Sequence, residues 1–224
     1  MGRLNQLFFI LTIAVLVFIV KPLALVAAGE DFLITWKSNG FVPSAYQGKI
    51  LPAKKSRVAL AFEIIKAGQS INLKNSEVRW FVNNKLIGRG VGLKKITLTV
   101  SDTNDLAVRI SVKGPGKDEW EKLVVIPVAR PELIIDGPTI VEGGAKIVTF
   151  YGRPFFFNIK SLKDLTFKWR VGGQETIGEV AAPEILEVLI PAELKNTALT
   201  IAAAAQNNRD LSQFAKKEIN LAVR

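Results

Sequence analysis

Apolar residues recur at every second position along most of the chain after residue 30. The alternation is clearest in two runs, Val58, Leu60, Phe62 and Ile64, and then Leu106, Val108, Ile110 and Val112. Because successive side chains of a strand point to opposite faces, this period predicts strands with one face in a core and the other in water. The pattern predicts an all-β fold.

Seven such runs lie in each half of the chain. The first-half strands are predicted at Phe32 to Lys37, Arg57 to Ile65, Glu77 to Val82, Leu86 to Gly88, Lys94 to Val100, Ala107 to Val112 and Lys122 to Val128. The second-half strands are predicted at Glu132 to Ile135, Ile147 to Tyr151, Pro154 to Ile159, Thr166 to Val171, Ile185 to Ile190, Ala198 to Ala204 and Lys216 to Val223. Seven short strands suit a sandwich of two sheets.

Two tryptophan-centred segments show that the halves are related. The segment Val78 to Val82 around Trp80 matches the segment Phe167 to Val171 around Trp169. Asn83-Asn84 after the first and Gly172-Gly173 after the second both offer the turn chemistry of a hairpin. The sequence therefore predicts two copies of one small β domain, at residues 29–129 and 130–224. Only a short, proline-restricted connection joins them, which predicts an elongated pair with limited bending.

Residues 1–28 form a hydrophobic leader. Arg3 precedes an apolar stretch from Leu7 to Val20, and Ala28 ends a site that an export peptidase accepts, which predicts a signal peptide. The alternative is an uncleaved membrane anchor, because the apolar segment is close to the ~20 residues that a spanning helix needs. Lys21 and Pro22 inside the segment count against that alternative. Both predict export, to the cell envelope or the medium, with membrane contact only through this segment if it is uncleaved.

The chain contains no cysteine and no histidine. Without disulfides, each exported sandwich must be held by its apolar core alone, and a bacterial or archaeal origin is favoured. Without histidine, Ser-His and Cys-His catalysis and the commonest zinc sites are excluded. The remaining carboxylate groups occupy predicted turns and strand edges, as at Asp102 and Asp105. We predict no enzymatic activity, catalytic residue, cofactor or metal site.

The net charge is +10, which favours anionic partners. The positive residues are scattered, with short clusters only at Lys54-Lys55-Ser56-Arg57, Lys94-Lys95 and Lys216-Lys217. A solvated surface is the favoured interpretation, since charge runs usually serve solubility. An anionic or polysaccharide surface polymer stays open as a partner, whereas nucleic-acid binding is not predicted.

The two tryptophan segments carry a family resemblance. A strand-centred Trp with apolar residues two before and two after, then a short hairpin, resembles immunoglobulin-like and polycystic-kidney-disease-like (PKD-like) sandwich domains of exported bacterial surface proteins. The resemblance implies two tandem seven-stranded immunoglobulin-like β-sandwiches after the leader helix. It implies no specific function.

Six aromatic residues are candidates for the core or for binding. Trp80 and Trp169 are predicted to fill the two cores. Three consecutive phenylalanines, residues 155–157, must place one ring outward, and Phe156 is the predicted one, under the neighbouring domain or a partner. Trp36, Phe41 and Tyr46 lie in a turn-rich segment. They form either a binding patch at a loop tip or part of a loop that folds back over the sandwich end, the second being favoured.

These features predict a non-catalytic cell-surface or secreted module that binds or scaffolds. One alternative is an accessory subunit of an envelope or appendage assembly, joined through exposed edge strands to another envelope protein. Another is a carbohydrate-binding module that uses Trp36 and Tyr46.

Overall fold

The computed structural model describes residues 30–224. The leader helix and its cleavage, predicted within residues 1–28, lie outside the described residues. From residue 30 onward the chain is built of strands, with one short 3-10 turn at Leu162–Asp164. Within this range no helix is long and apolar enough to span a membrane.

The first copy contains eight strands. They are β1 (Glu30–Ser38), β2 (Arg57–Lys66), β3 (Gln69–Ser70), β4 (Glu77–Val82), β5 (Lys85–Val91), β6 (Lys95–Thr99), β7 (Leu106–Lys113) and β8 (Glu119–Ile126). One sheet has the order β1-β2-β3, with β6 also paired to β2, and the other has the order β5-β4-β7-β8.

The second copy also contains eight strands. They are β9 (Glu132–Asp136), β10 (Ile140–Val141), β11 (Lys146–Phe155), β12 (Leu165–Val171), β13 (Gln174–Thr176), β14 (Ile185–Ile190), β15 (Thr197–Asn207) and β16 (Asp210–Val223). Its sheets have the orders β14-β11-β9 and β10-β16-β15-β12-β13, and β10 runs parallel to β16. The prediction of two tandem immunoglobulin-like sandwiches is confirmed.

The predicted division of β11 into two strands is wrong. Gly152 and Pro154 continue the ladder, pairing with Ile135 and Leu133 of β9. Proline is tolerated there because the β14 partner of β11 has already ended opposite Tyr151, so one side of the strand is locally an edge. The short strands β3, β10 and β13 escaped prediction, because two or three residues carry no readable period.

Each core is centred on its tryptophan. Trp80 and Trp169 are 0% and 1% exposed, respectively. The indole N–H of Trp80 donates to the backbone oxygen of Leu93 at 2.9 Å, and that of Trp169 donates to Pro183 at 2.9 Å. The two copies thus satisfy the one polar atom of the ring in the same way, as a buried indole requires.

The two matched hairpin turns share a left-handed backbone. Asn83 and Asn84 have φ of 49° and 64°, and Gly172 and Gly173 have φ of 57° and 83°. Asn83 Oδ1 also accepts a hydrogen bond from the Ala107 N–H at 2.9 Å. Asparagine and glycine are the residues that adopt this conformation most readily, so the predicted turn chemistry is confirmed.

The described residues divide into two units. The smaller holds Glu30, Asp31 and residues Ile64–Ile71, in which a tight turn brings the Ile71 N–H to the Ile64 oxygen at 2.8 Å. The larger comprises Phe32–Glu63 and Asn72–Arg224, which include the greater part of both sandwiches. All sites described below lie in the larger unit.

Candidate functional site

Residues 39–56, here called the joint loop, connect β1 to β2 and contact the second sandwich. The loop is anchored at its own ends, because Asn39 Oδ1 accepts from the Arg57 N–H at 2.7 Å and Ser56 Oγ accepts from the Ala53 N–H at 3.0 Å. Ser56 is fully buried. These bonds satisfy polar groups that a long loop would otherwise leave unpaired.

The backbone of the joint loop pairs with the chain just after β11. The Phe41 N–H donates to the Phe157 oxygen at 2.8 Å, and the Phe156 N–H donates to the Phe41 oxygen at 2.7 Å. Farther along the loop, the Pro52 oxygen accepts from the Ala129 N–H in the inter-copy connection at 2.8 Å. The loop is therefore held to the connection and to the second sandwich at separate points.

A buried amide network fixes the end of the joint loop. Gln213 of β16, 2% exposed, donates through Nε2 to the Lys54 oxygen at 2.9 Å. Its Oε1 accepts from the Asn158 N–H at 2.8 Å and from Asn207 Nδ2 at 3.0 Å. Asn158 Nδ2 in turn donates to the Lys55 oxygen at 3.1 Å. A satisfied buried polar network of this kind specifies one arrangement of the groups it joins.

One ion pair crosses the same junction. Lys55 Nζ lies 3.0 Å from Asp210 Oδ2, an ionic contact rather than a well-directed hydrogen bond. Burial of the Asp210 carboxyl is the largest single influence on its pKa and raises it. The hydrogen bonds from Ser212 and the contact with Lys55 outweigh burial, so the pKa of Asp210 lies below its ordinary value of 3.8. The charged carboxylate is therefore the form that the junction favours.

Phe156 is buried beneath the joint loop, and its backbone is unusual. It has φ of 59°, a left-handed conformation that is rare for an aromatic residue. This residue breaks the alternation, so that Phe156 and Phe157 are both buried, at 7% and 0% exposure. The Phe156 ring packs edge-on against Tyr46 at 6.0 Å, and Phe155 packs against the same tyrosine at 5.7 Å. The neighbouring copy covers Phe156.

The four aromatic candidates for partner binding lie on β1, in the joint loop that follows it, and just after β11. Three of them meet in the junction. The backbone of Phe156 pairs with that of Phe41, and its ring packs against Tyr46. Trp36 lies on β1, half-buried, with Lys49 Nζ 4.3 Å from its ring centre. No ring contact joins Trp36 to Tyr46 in the described part of the chain. Lys49 contacts both residues, since its backbone oxygen accepts from the Tyr46 hydroxyl at 3.2 Å.

A groove on the outer face of the second sandwich is a site that sequence analysis missed. Its floor consists of Ala202 and Ala204 on β15. In the strand register, Lys168 of β12 and Lys216 of β16 lie on either side of Ala204. We call this feature the alanine groove. The signal was the alanine run at 202–205 within a predicted strand, where alanine is otherwise depleted.

The walls of the alanine groove are mainly cationic. Arg170 and Glu218 flank Ala202, and Lys217 lines the same groove. Arg170 Nη2 lies 3.0 Å from Glu175 Oε1. This hydrogen bond, together with the positive charges of Arg170 and Lys168, lowers the pKa of Glu175. Within residues 30–224, Lys168, Lys216 and Lys217 form no ion pair. Lys168 and Lys216 on the two walls are thus without a close ion-pair partner, although Lys168 also acts electrostatically on Glu175.

The corresponding face of the first sandwich is filled and apolar. Arg109 of β7 stacks on Phe81 of β4, 3.9 Å from the ring centre, and its Nη1 lies 3.1 Å from Glu121 Oε2. Exposed apolar side chains flank this stack on β5 and β8, with Leu86 at 47% and Leu123 at 57%. We call this surface the apolar face.

Three carboxylates on turns and strands of the first copy have structural partners. Asp102 Oδ1 accepts from the Asn104 N–H at 2.8 Å, and Asp105 Oδ1 accepts from the Val128 N–H at 3.0 Å. Glu121 pairs with Arg109, as described above. In the part of the chain that the structure describes, no group of three or more acidic residues could hold a metal ion.

Comparison with known proteins gives fold-level likenesses only. No family model matches the chain, and no curated protein matches it. The fibronectin(III)-like modules of Clostridium thermocellum CbhA align with 86% of this chain and 94% of their own, at 13% identity and a TM-score of 0.32. Three N-terminal domains of the Hoc capsid protein of bacteriophage RB49 align with 86% of this chain and 59% of theirs, at 12% identity and a TM-score of 0.45. At such values the likenesses indicate no ligand or activity.

Proposed function

We propose that the chain is an exported, non-catalytic module that binds or scaffolds at the cell envelope or outside the cell, displaying its two sandwiches as one coupled pair. The joint loop is the observation that supports this proposal. Its backbone pairing with Phe157 and the Gln213 amide network hold the two copies to each other. A catalytic protein needs a convergent set of reactive groups, whereas a display module needs a defined relation between its surfaces.

The proposal makes two separate demands, export and coupling. For export, the full chain is expressed in a bacterium, the cells are fractionated, and the N-terminal residue of the product is determined by mass spectrometry. A product that begins at Gly29 in the exported fraction means a free module, and an intact Met1 in the membrane means a tethered one. A product confined to the cytoplasmic fraction contradicts the proposal.

For coupling, the purified protein is unfolded in a calorimeter. Two sandwiches held by the joint loop are expected to unfold in one cooperative transition. The matched variant is Gln213→Leu, which substitutes an apolar side chain of similar size and removes the side-chain hydrogen bonds to Lys54, Asn158 and Asn207. This variant is expected to separate the transition into two. A wild-type protein that already unfolds in two independent steps contradicts coupled display.

A second candidate, an accessory subunit of a larger assembly, is favoured by the apolar face. Leu123 and Val125, at 57% and 55% exposure, lie on β8, which pairs only with β7 and so leaves one edge open. Exposed apolar strands at a sheet edge are sites where another chain can add. Sedimentation at increasing concentration tests this candidate. Self-association that Leu123→Lys abolishes supports it, and a monomer at all concentrations argues against assembly through a second copy.

A further inference from the structure

We propose that the alanine groove binds an extended acidic polysaccharide, with a carboxylate on its sugar units. This inference rests on the proposed function, because it names the ligand of a binding module. It assigns polysaccharide recognition to the β12-β15-β16 face of the second sandwich rather than to Trp36 and Tyr46.

The shape of the groove fits a single extended chain. Ala202 and Ala204 have short side chains, and the residues paired with them on the strands to either side have long ones. Since neighbouring strands lie about 4.8 Å apart, the two walls stand roughly 10 Å from each other across the floor. From Thr200 to Gln206 the floor strand extends about 20 Å at ~3.3 Å per residue. A linear polymer several units long can lie in this space.

The charge of the groove selects an acidic polymer. Lys168 and Lys216 face each other across Ala204, and neither has an ion-pair partner within residues 30–224. Arg170, by contrast, already forms an ion pair with Glu175 on the same side of the groove. Carboxylates along a polymer can approach both lysines at once, and each such charge-assisted contact is stronger than a neutral hydrogen bond.

The remaining groups favour a sugar over a peptide. The groove lies on a sheet face, so its floor offers side chains and no free backbone N–H or C=O groups, and a peptide could not add as a strand. Thr200 Oγ1 and Asn220 Oδ1, 3.3 Å apart, supply hydroxyl and amide groups at one end. Phe214, 48% exposed, pairs with Gln206 at the other end and supplies an apolar ring. This mixture suits a ligand that has carboxylates, hydroxyls and apolar C–H faces.

The experiment uses the full chain, purified from the fraction in which it accumulates, and polygalacturonate as the probe. Calorimetric titration is run in low salt and again at about 0.5 M salt, where exposed charges are screened. Lys168→Gln combined with Lys216→Gln is expected to weaken binding about tenfold or more, which corresponds to ~1.4 kcal/mol. Ala204→Phe, which fills the groove and changes no charge, is expected to weaken it by a similar factor.

The matched control removes the same charge from the first sandwich. Lys95→Gln combined with Lys122→Gln changes two strand lysines that have no ion pair among residues 30–224, and is expected to leave the affinity within about twofold. Circular dichroism and thermal unfolding confirm that each variant is folded. Neutral dextran and poly-glutamate are titrated in parallel.

Other outcomes would overturn either the ligand assigned to the alanine groove or the proposed function itself. Equal weakening by the control variant would show diffuse charge attraction rather than a groove. Binding of poly-glutamate but not polygalacturonate, with the same dependence on Lys168 and Lys216, would replace the sugar by an acidic protein segment. No binding of either polymer, with export and cooperative unfolding intact, would remove the ligand and leave the proposed function standing. Cytoplasmic location or uncoupled unfolding would instead remove the proposed function.

Discussion

The two sandwiches share their interior but not their outer surface. Trp80 and Trp169 sit in matching strands and donate to matching backbone oxygens. On the opposite side of the same strands, Phe81 pairs with Arg109 in the first copy, and Arg170 pairs with Ala202 in the second. The first pair fills the face with a stacked cation, whereas the second leaves a groove. The fold constrains the core residues closely and leaves the outward positions free to acquire different partners.

The largest effects are expected in the shared interior. Trp80→Ala and Trp169→Ala each remove a fully buried ring, and each is expected to destabilise its sandwich by about 3–5 kcal/mol. Chemical denaturation measures the loss. Trp36→Ala, on half-buried Trp36, is the control and is expected to cost clearly less. A small effect of either core variant would mean that the two interiors are not equivalent.

The next largest effect on stability is expected at Phe156, a buried residue at the junction between the two copies. Phe156→Ala is expected to destabilise the protein by about 3 kcal/mol, because the buried ring loses its contact with Tyr46. The loss falls on the junction, so calorimetry should also show a broader or divided transition. Phe155→Ala, at the half-buried neighbouring position, is expected to have the smaller effect. Equal destabilisation by the two variants would show that the Phe156 ring contributes no more to the junction than the Phe155 ring does.

The outer faces themselves should respond unequally to exchange. Arg109→Ala removes the stack on Phe81 and the contact with Glu121, and is expected to cost about 1 kcal/mol. The reverse exchange, Ala202→Arg, adds a side chain to an open groove and is expected to change stability by less than about 0.5 kcal/mol. Denaturant midpoints of the two variants test the contrast. A costly Ala202→Arg would mean that the groove is closed in solution.

The smallest effect concerns acid. Because the pKa of Asp210 is lowered in the folded protein, its ion pair with Lys55 contributes stability above the ordinary value of 3.8, and the contribution is lost as the pH falls through the folded pKa. Thermal unfolding measured from neutral pH downward should therefore decline less for Asp210→Asn than for wild type below that value. Parallel curves for the two proteins would exclude a part for this pair in acid sensitivity.

Most of the strands could be predicted from the sequence, since alternation reports burial directly. β4 and β14 begin and end where they were predicted, and the Asn83-Asn84 turn has the backbone that its residues favour. The contacts of the joint loop with the second sandwich could not be predicted, because those such as Lys54 with Gln213 join residues far apart in the chain. The consecutive burial of Phe156 and Phe157 could not be predicted either, because a single left-handed residue interrupts the alternation.

The alanine groove was missed for a different reason. A pattern of apolar and polar positions treats Ala202 as one more small apolar residue, and only the register sets it between Arg170 and Glu218. The basic clusters showed a similar ambiguity. Lys55 forms an ion pair with Asp210, whereas Lys216 stands open at the groove, and their sequence surroundings do not separate these cases.

The joint loop has a consequence for how such domains can be recombined. Tandem domains that fold independently can be duplicated, deleted or reordered. Here the joint loop of the first sandwich supplies backbone groups of Phe41 and Lys54 that form hydrogen bonds with the second. Transplanting either sandwich alone would strip buried amides of their partners. The pair, rather than the single sandwich, is the unit that an engineer or a recombination event can move intact.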